Sequence, residues 1–338
     1  MEFKHALTST MMHIIARPRI HISLADMGYA SLRSFGGVGF SLDCEPTVIE
    51  FEPCRTVEID GTEVLDTRAQ LELSELVKRL RAVREKFVGF RAIIKSVPRQ
   101  HVGLGSKTSL ALSIIAGANA VNDLGFSNSE MQQLSGRGSA SGVGLHTFFQ
   151  GGLVWDAGHR FVPGIRLSPS SATIATSVPP LMTRVPFPPE WCVALLLPDE
   201  PTMSGEDEAR FFSENSPVTK GEALETMAIL YHGVLPAFML TDYEAIGLAL
   251  QSLHRVGFKM RELQRCSTRA QSCLAALFQR GLAAGISSVG PLLYVIVPRS
   301  DREYLDQVRS VSSDLSVPIL SVASGWNSGH ELRSGTWL

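Results

Sequence analysis

The sequence predicts an α+β protein of two domains, and three observations carry that reading. The chain has 338 residues, more than one core organises, since single cores stop growing near about 250–300 residues. A glycine-bearing turn, residues 97–109, stands between a strand pattern and a long apolar helix pattern. In the last part of the chain strand and helix patterns alternate, the order of a small sandwich of ferredoxin-like type. Residues 1–12 are expected to be a disordered extension, 13–180 the N-terminal domain and 190–338 the C-terminal one. The proline-rich, aperiodic stretch from Ser168 to Glu190 reads as the passage between them.

Composition narrows the function. With 44% hydrophobic and 19% charged residues and a formal charge of −2, the chain makes no electrostatic case for nucleic acid or an anionic membrane as a partner. Its five cysteines, Cys44, Cys54, Cys192, Cys266 and Cys273, are scattered without a Cys-x-x-Cys pair, which argues against a disulfide framework or a structural zinc site. The opening residues hold no apolar run of secretory or membrane length. A cytoplasmic location is the expectation.

From His13 to Leu24 the chain reads as a strand, in which Ile20, Ile22 and Leu24 alternate with Arg19, His21 and Ser23 on a polar face. Asp26 to Tyr29 turns, and Arg33 to Leu42 returns as a strand. Thr47–Phe51 and Thr56–Ile59 are further strands, and residues 71–87 form an amphipathic helix. Phe90–Ser96 feeds the glycine turn, after which a long helix runs to Gly125. Ser127 to Glu130 has capping-box spacing and starts a shorter helix. Gly136 to Gly144 is rich in glycine and serine, and Leu153–Trp155 is a strand. Beyond the prolines, Trp191–Leu197, Leu292–Val297 and Val317–Val322 read as strands. Residues 222–240, 244–256, 260–282 and 301–311 read as helices.

The glycine turn is the most informative stretch. Gly103 and Gly105 permit a tight turn with exposed amides, Ser106 and Thr108 add hydroxyls, and a helix start adds partial positive charge, so phosphate is the natural guest. Neither of the two common phosphate-loop spacings is present. Instead Pro98, Gly103, Leu104, Gly105 and Ser106 resemble the Pro-x-x-x-Gly-Leu-Gly-Ser loop of the GHMP kinase superfamily, with a spacer one residue longer. Two other signatures of that superfamily have counterparts here, Pro18-Arg19-Ile20-His21 near the start and Gly285 to Pro291 near the end. The resemblance implies a GHMP-kinase-like fold: a ribosomal protein S5 domain 2-like N-terminal domain with the glycine loop, and a ferredoxin-like C-terminal domain.

One position separates this chain from the kinases. The segment Ser139 to Gly144 resembles one that carries, in many members, an aspartate that takes the proton from the alcohol being phosphorylated. Here Gly144 stands in its place, and glycine cannot act as a base. Six blocks in order are similar instead to the β-ribofuranosylaminobenzene 5'-phosphate synthase family of methanopterin biosynthesis. They are Arg19-Ile20-His21 with Leu24 and Asp26; Arg33 with Gly36 to Gly39; His101 to Thr108; Gly138 with Ser141 to Gly144; Phe148 with Gly151-Gly152; and Gly158-His159. Leu32, Ser109 and Val289 depart from that pattern.

The resemblance implies a decarboxylating pentosyltransferase that joins phosphoribosyl pyrophosphate to 4-hydroxybenzoate, 4-aminobenzoate or a related aromatic acid, giving a C-riboside. It implies Mg²⁺ as cofactor, with its ligands unassigned, and leaves a homodimer open. Pyrophosphate is assigned to Gly103, Gly105, Ser106 and Thr108, with Lys107 as an added charge, and Arg19, Leu104, Ser141, Gly142 and Gly144 are further substrate contacts. Asp26 would hold the ribose hydroxyls, the metal or the para substituent; Arg33 would pair with the 5'-phosphate or the benzoate carboxylate. His21 is the third catalytic candidate, balanced against a structural hydrogen bond. For His101, His146 and His159 the structural reading leads, Arg137 reads as solvated, and Glu208 as a helix cap. The competing readings are an ATP-dependent small-molecule kinase of the same fold that recruits another base such as Asp26, and a ligand-sensing protein without turnover.

Overall fold

A computed structural model describes residues 11–83, 86–164, 166–170, 173–203 and 205–335. Most of the expected extension, residues 1–10, therefore lies outside the described residues, and Met12 already belongs to the first strand, β1 (Met12–Ala16). Pro18 splits the single strand expected from residue 13 into β1 and β2 (Arg19–Asp26), which join different sheets. A proline has no N–H to give a ladder, so the change of sheet falls where the ladder is already broken.

The remaining strands of the first half are β3 (Arg33–Asp43), β4 (Thr47–Pro53), β5 (Val57–Asp60), β6 (Phe90–Ser96), β7 (Leu153–Asp156) and β8 (His159–Arg160). Helices α1 (Thr67–Val83), α2 (Ser106–Asn122), α3 (Asn128–Ser135) and α4 (Val143–Gln150) lie among them. The capping box read in the sequence is present: the Ser127 hydroxyl accepts from the Glu130 amide, and the Glu130 carboxylate accepts from the Ser127 amide.

The later strands are β9 (Leu181–Val185), β10 (Trp191–Leu196), β11 (Ala283–Ile286), β12 (Leu293–Pro298), β13 (Ile319–Gly325) and β14 (Glu331–Ser334). The later helices are α5 (Gly205–Asn215), α6 (Lys220–Ile229), α7 (Leu235–Leu240), α8 (Tyr243–Leu253), α9 (Gly257–Arg265), α10 (Thr268–Gln279) and α11 (Arg302–Asp314). A π turn joins α6 to α7. The helix expected over 260–282 is two helices, because Ser267 caps a new start by accepting from the Ala270 amide. Strand β9 forms inside the proline-rich stretch by pairing with β7.

One sheet runs β14-β1-β4-β6-β5, so the end of the chain returns to its beginning. The other has nine strands, with path β11-β12-β10-β13-β3-β7-β9 and with β2 and β8 paired to β3. Strand β3 thus connects the two parts of the chain, and a shared core forms over it. Phe40 packs its ring against Phe187, Phe238 and Tyr294, with centroids 5.1–5.9 Å apart. A second core fills the space between the first sheet and helices α1 and α2. The segment Lys220–Leu240 is long and apolar enough to cross a membrane by length and composition; Leu230, Val234, Ala237 and Phe238 of it are buried in the shared core.

Candidate active site

The three sequence signatures, far apart in the chain, converge. The Ser287 hydroxyl donates to the Gly103 carbonyl at 2.7 Å and accepts from the His21 amide at 3.1 Å. The Ser288 amide donates to the His21 carbonyl, and the Leu292 amide to that of Val102. Gly103 has φ +110°, and a Cβ there would lie 2.5 Å from the Ser287 carbonyl oxygen; glycine is required by both backbone and space. Gly105, φ +74°, caps α2 in the left-handed region, and the Arg19 guanidinium carbon would lie 3.0 Å from a Cβ placed on it. Arg19 in turn donates to the Gly103 carbonyl at 2.5 Å.

The result is a cleft with a cavity of about 180 Å³, lined by Arg19, His21, Gly103, Gly105, Ser106, Lys107, Thr108, Ser141 and Gly144, all expected from the sequence. Arg137 and Glu208 line it too. The side chains of Lys107 and Arg137 are only 15% and 16% exposed, so Arg137 is not the solvated residue expected. Burial, with the charge of Arg137 beside it and Glu208 opposing, pushes the Arg19 pKa down to about 10. Burial likewise lowers that of Arg137, against Glu72 and Glu208. Arg19 and Arg137, buried beside the glycine turn, carry their charge at a cost that a polyanion relieves.

His21 is buried, and its Nδ1 has no hydrogen-bond partner among the described residues. Burial first, then the charges of Arg19 and Lys259, holds its pKa well below the usual imidazole range; the ring is neutral at pH 7. It sits against Ser141 across the bare backbone of Gly37, where a Cβ would lie 2.3 Å from the Ser141 hydroxyl and 2.7 Å from His21 Nε2. Behind Ser141 stands Asp156, fully buried, accepting from the Ser141 hydroxyl at 3.0 Å and from the amides of Gly142 and Gly158 at 2.8 and 2.9 Å. Burial pushes its pKa up to about 6 against those hydrogen bonds.

Four expected site residues do not reach the cleft. The Asp26 carboxylate accepts from the amides of Gly28, Ala30 and Ser31, each at 3.0 Å, so it holds its own turn and is not placed to serve as the base a kinase would need. Arg33 donates to the carbonyls of Ala157 and Gly158 at 2.6 and 2.7 Å, fastening the turn after Asp156. Leu104 is buried in the core, and Gly142 lies behind Ser141. The histidines weighed as structural have such partners: His101 with Asp66 at 2.6 Å, His146 with the Pro179 carbonyl at 2.8 Å, and His159 with the Gly138 carbonyl at 2.8 Å. Glu208 lies inside α5 rather than capping it.

Reading the sequence missed Asp156, although a lone carboxylate ending the apolar run Leu153-Val154-Trp155 was a signal. Arg137 lies in a glycine-serine segment, the context that drew attention to Asp26 and Arg33. Among the described residues no three His, Cys, Asp or Glu side chains converge as a metal-holding group.

The fold defines the class. The Streptococcus pneumoniae phosphomevalonate kinase superposes with a TM-score of 0.69 at 12% identity, covering 93% of this chain and 99% of that one, and the chain has the GHMP-kinase fold. Within that class it is similar to the β-ribofuranosylphenol 5'-phosphate synthase of Archaeoglobus fulgidus, 29% identical over 303 residues that cover 87% of this chain and 92% of the relative. The enzyme of that name from Methanothermobacter thermautotrophicus is 28% identical over 284 residues, covering 82% and 86%. The family resemblance carried by the six sequence blocks is thereby borne out. No family model matches the chain.

Proposed function

We propose that the protein joins phosphoribosyl pyrophosphate to a para-substituted benzoic acid, releasing pyrophosphate and carbon dioxide and leaving a C-riboside 5'-phosphate. The observation that carries this reading is the pairing of a cation-lined phosphate cleft with Gly144 where a kinase would hold its base. A Cβ at Gly144 would already lie 3.2 Å from the Thr108 methyl, so the glycine packs tightly on the loop helix and an aspartate there would crowd it. The names of the two relatives point to the same product type.

The chemistry needs no net proton transfer. The C1–oxygen bond breaks with its pair leaving on pyrophosphate, a π pair of the ring forms the C–C bond at the carboxylated carbon, and the pair of the C–CO₂ bond restores the aromatic ring. What the protein must supply is charge for the departing phosphates and exclusion of water from the oxocarbenium-like sugar. Loop amides with Arg19, Lys107 and Arg137 supply the charge; the docked turn 287–290 and Met203, Phe212 and Val289 shield the cleft. The neutral His21 and the Ser141 hydroxyl, held by Asp156, contact the ribose. Asp26 and Arg33 act as positioning residues, through the 28–31 and 156–158 turns.

The donor set suits Mg²⁺: the Ser106 and Thr108 hydroxyls with Glu208 would hold the ion, most of its ligands being phosphate oxygens. Bound there, it would neutralise the pyrophosphate as it departs. The test is to supply phosphoribosyl pyrophosphate, Mg²⁺ and 4-hydroxybenzoate and to measure pyrophosphate and carbon dioxide. Release of the two in equal amounts supports the reading; ligand binding without either product would favour a sensor.

A further inference from the structure

A second cavity, of about 300 Å³, opens beside the cleft and shares Lys107, Arg137 and Ser170 with it. Its character is different. Leu73 and Leu76 of α1 face Leu110 and Ala111 of α2 across it, and Ile174 closes one side. Cations mark two of its ends. At the neck shared with the cleft, Lys107 and Arg137 each stand 3.5 Å from Glu72, longer than a tight charge-assisted bond, so both keep charge for a ligand.

Two turns further along α1, about 10 Å by helix rise, lies Arg79. One of its terminal nitrogens donates to the Ser135 carbonyl at 3.3 Å, while its Nε is buried with no acceptor among the described residues. A buried guanidinium N–H left without an acceptor is costly and asks for one. Glu75, the other carboxylate of the lining, is engaged with Lys78 at 2.6 Å.

We propose that this cavity is the aromatic-acid subsite, with Arg79 as the residue that reads the para substituent. The inference rests on the proposed function and deepens it. The phosphosugar is anionic at both ends and suits the cleft; the ring is the one apolar component, and this is an apolar room contiguous with the cleft. The ring lies between α1 and α2 with its carboxylated carbon at the neck, toward the ribose, and its para group toward Arg79. Arg79 offers a donor. A phenol oxygen accepts it, and a nearby cation favours the phenolate that pushes electron density to the reacting carbon. An aniline nitrogen, its lone pair drawn into the ring, is a poor acceptor. The para-hydroxy acid is therefore the preferred substrate over the para-amino acid.

The test uses the full-length protein with Mg²⁺ and pyrophosphate, and measures 4-hydroxybenzoate binding by calorimetry alongside steady-state kinetics. Ala111→Phe, which fills the cavity, is expected to weaken 4-hydroxybenzoate binding about tenfold or more with the KM for phosphoribosyl pyrophosphate unchanged. Arg79→Gln is expected to shrink the preference for 4-hydroxybenzoate over 4-aminobenzoate while leaving that KM alone. If Ala111→Phe unfolds, Ile174→Trp on the cavity's exposed side makes the same test. The subsite assignment is overturned if the KM for phosphoribosyl pyrophosphate rises instead, if neither constant moves, or if ATP rather than 4-hydroxybenzoate is the ligand whose binding is lost. Absence of turnover in the unmodified protein would sink the proposed function separately. The calorimetry would then decide the subsite by itself: 4-hydroxybenzoate binding lost in the filled variant supports it, and no binding overturns it.

Discussion

Two regions of the molecule set charged side chains among glycines, and they spend the charge differently. Flanking the turn after β2, Asp26 and Arg33 direct their charge at backbone: among the described residues, three amides for the carboxylate and two carbonyls for the guanidinium. Around the glycine loop, the ion pairs of Lys107 and Arg137 with Glu72 are long, at 3.5 Å, Arg137 also reaches the Thr108 hydroxyl at 3.5 Å, and with Arg19 they face the same cleft. Charge consumed by backbone shapes a loop; charge left crowded and partly buried waits for a ligand. Under the proposed function, the contrast separates residues that would act on substrate from residues that would act through the scaffold.

The sharpest way to break that contrast is to remove one cation from each region. Arg137→Met is expected to lower kcat/KM for phosphoribosyl pyrophosphate by about 10²-fold or more, with the melting temperature little changed. Arg33→Ala is expected to lower stability as well as activity, and to act on kcat rather than on KM. Loss of two charge-assisted bonds to carbonyls should cost about 1.5–3 kcal/mol of stability and lower kcat through the displaced 156–158 turn, with the KM for phosphoribosyl pyrophosphate nearly constant. Equal effects on both measurements from both variants would dissolve the distinction.

A smaller effect sharpens it. The buried Asp156 carboxyl, pushed up to about 6, holds its proton more tightly in the folded chain than in the unfolded one. Its contribution to stability is therefore full below about pH 4 and is lost as the pH rises through about 6, by roughly 2–3 kcal/mol. Asp156→Asn removes the titration, so the stability of the variant at pH 7 relative to pH 4 should be higher than that of the parent by this amount. A variant whose pH dependence matched that of the parent would show that Asp156 titrates normally.

Much of the fold was legible because its punctuation is strong. Gly103 and Gly105 before an apolar run marked α2, and the box at Ser127 marked α3. What was hidden lies where two cues compete. Apolar spacing continues through Cys266 and Ser267, masking the break that a single capping hydroxyl makes. Prolines on either side masked β9, whose pairing with β7 is a non-local fact. In the site, residue type and a glycine neighbourhood located the loop that lines the cleft, but the same cues picked Asp26 and Arg33, because a sequence does not say which backbone amides a carboxylate will meet. Asp156 and Arg137 were missed for the complementary reason: burial comes from strands and loops far away in the chain.

The central claim is that this cleft holds phosphates that depart rather than transfer. It is tested most directly by supplying the protein with phosphoribosyl pyrophosphate, 4-hydroxybenzoate and ATP together, with Mg²⁺, and following all phosphorus species by ³¹P NMR. Pyrophosphate should accumulate as phosphoribosyl pyrophosphate is consumed, with the ATP signals unchanged. Growth of ADP signals while phosphoribosyl pyrophosphate stays intact would contradict the account.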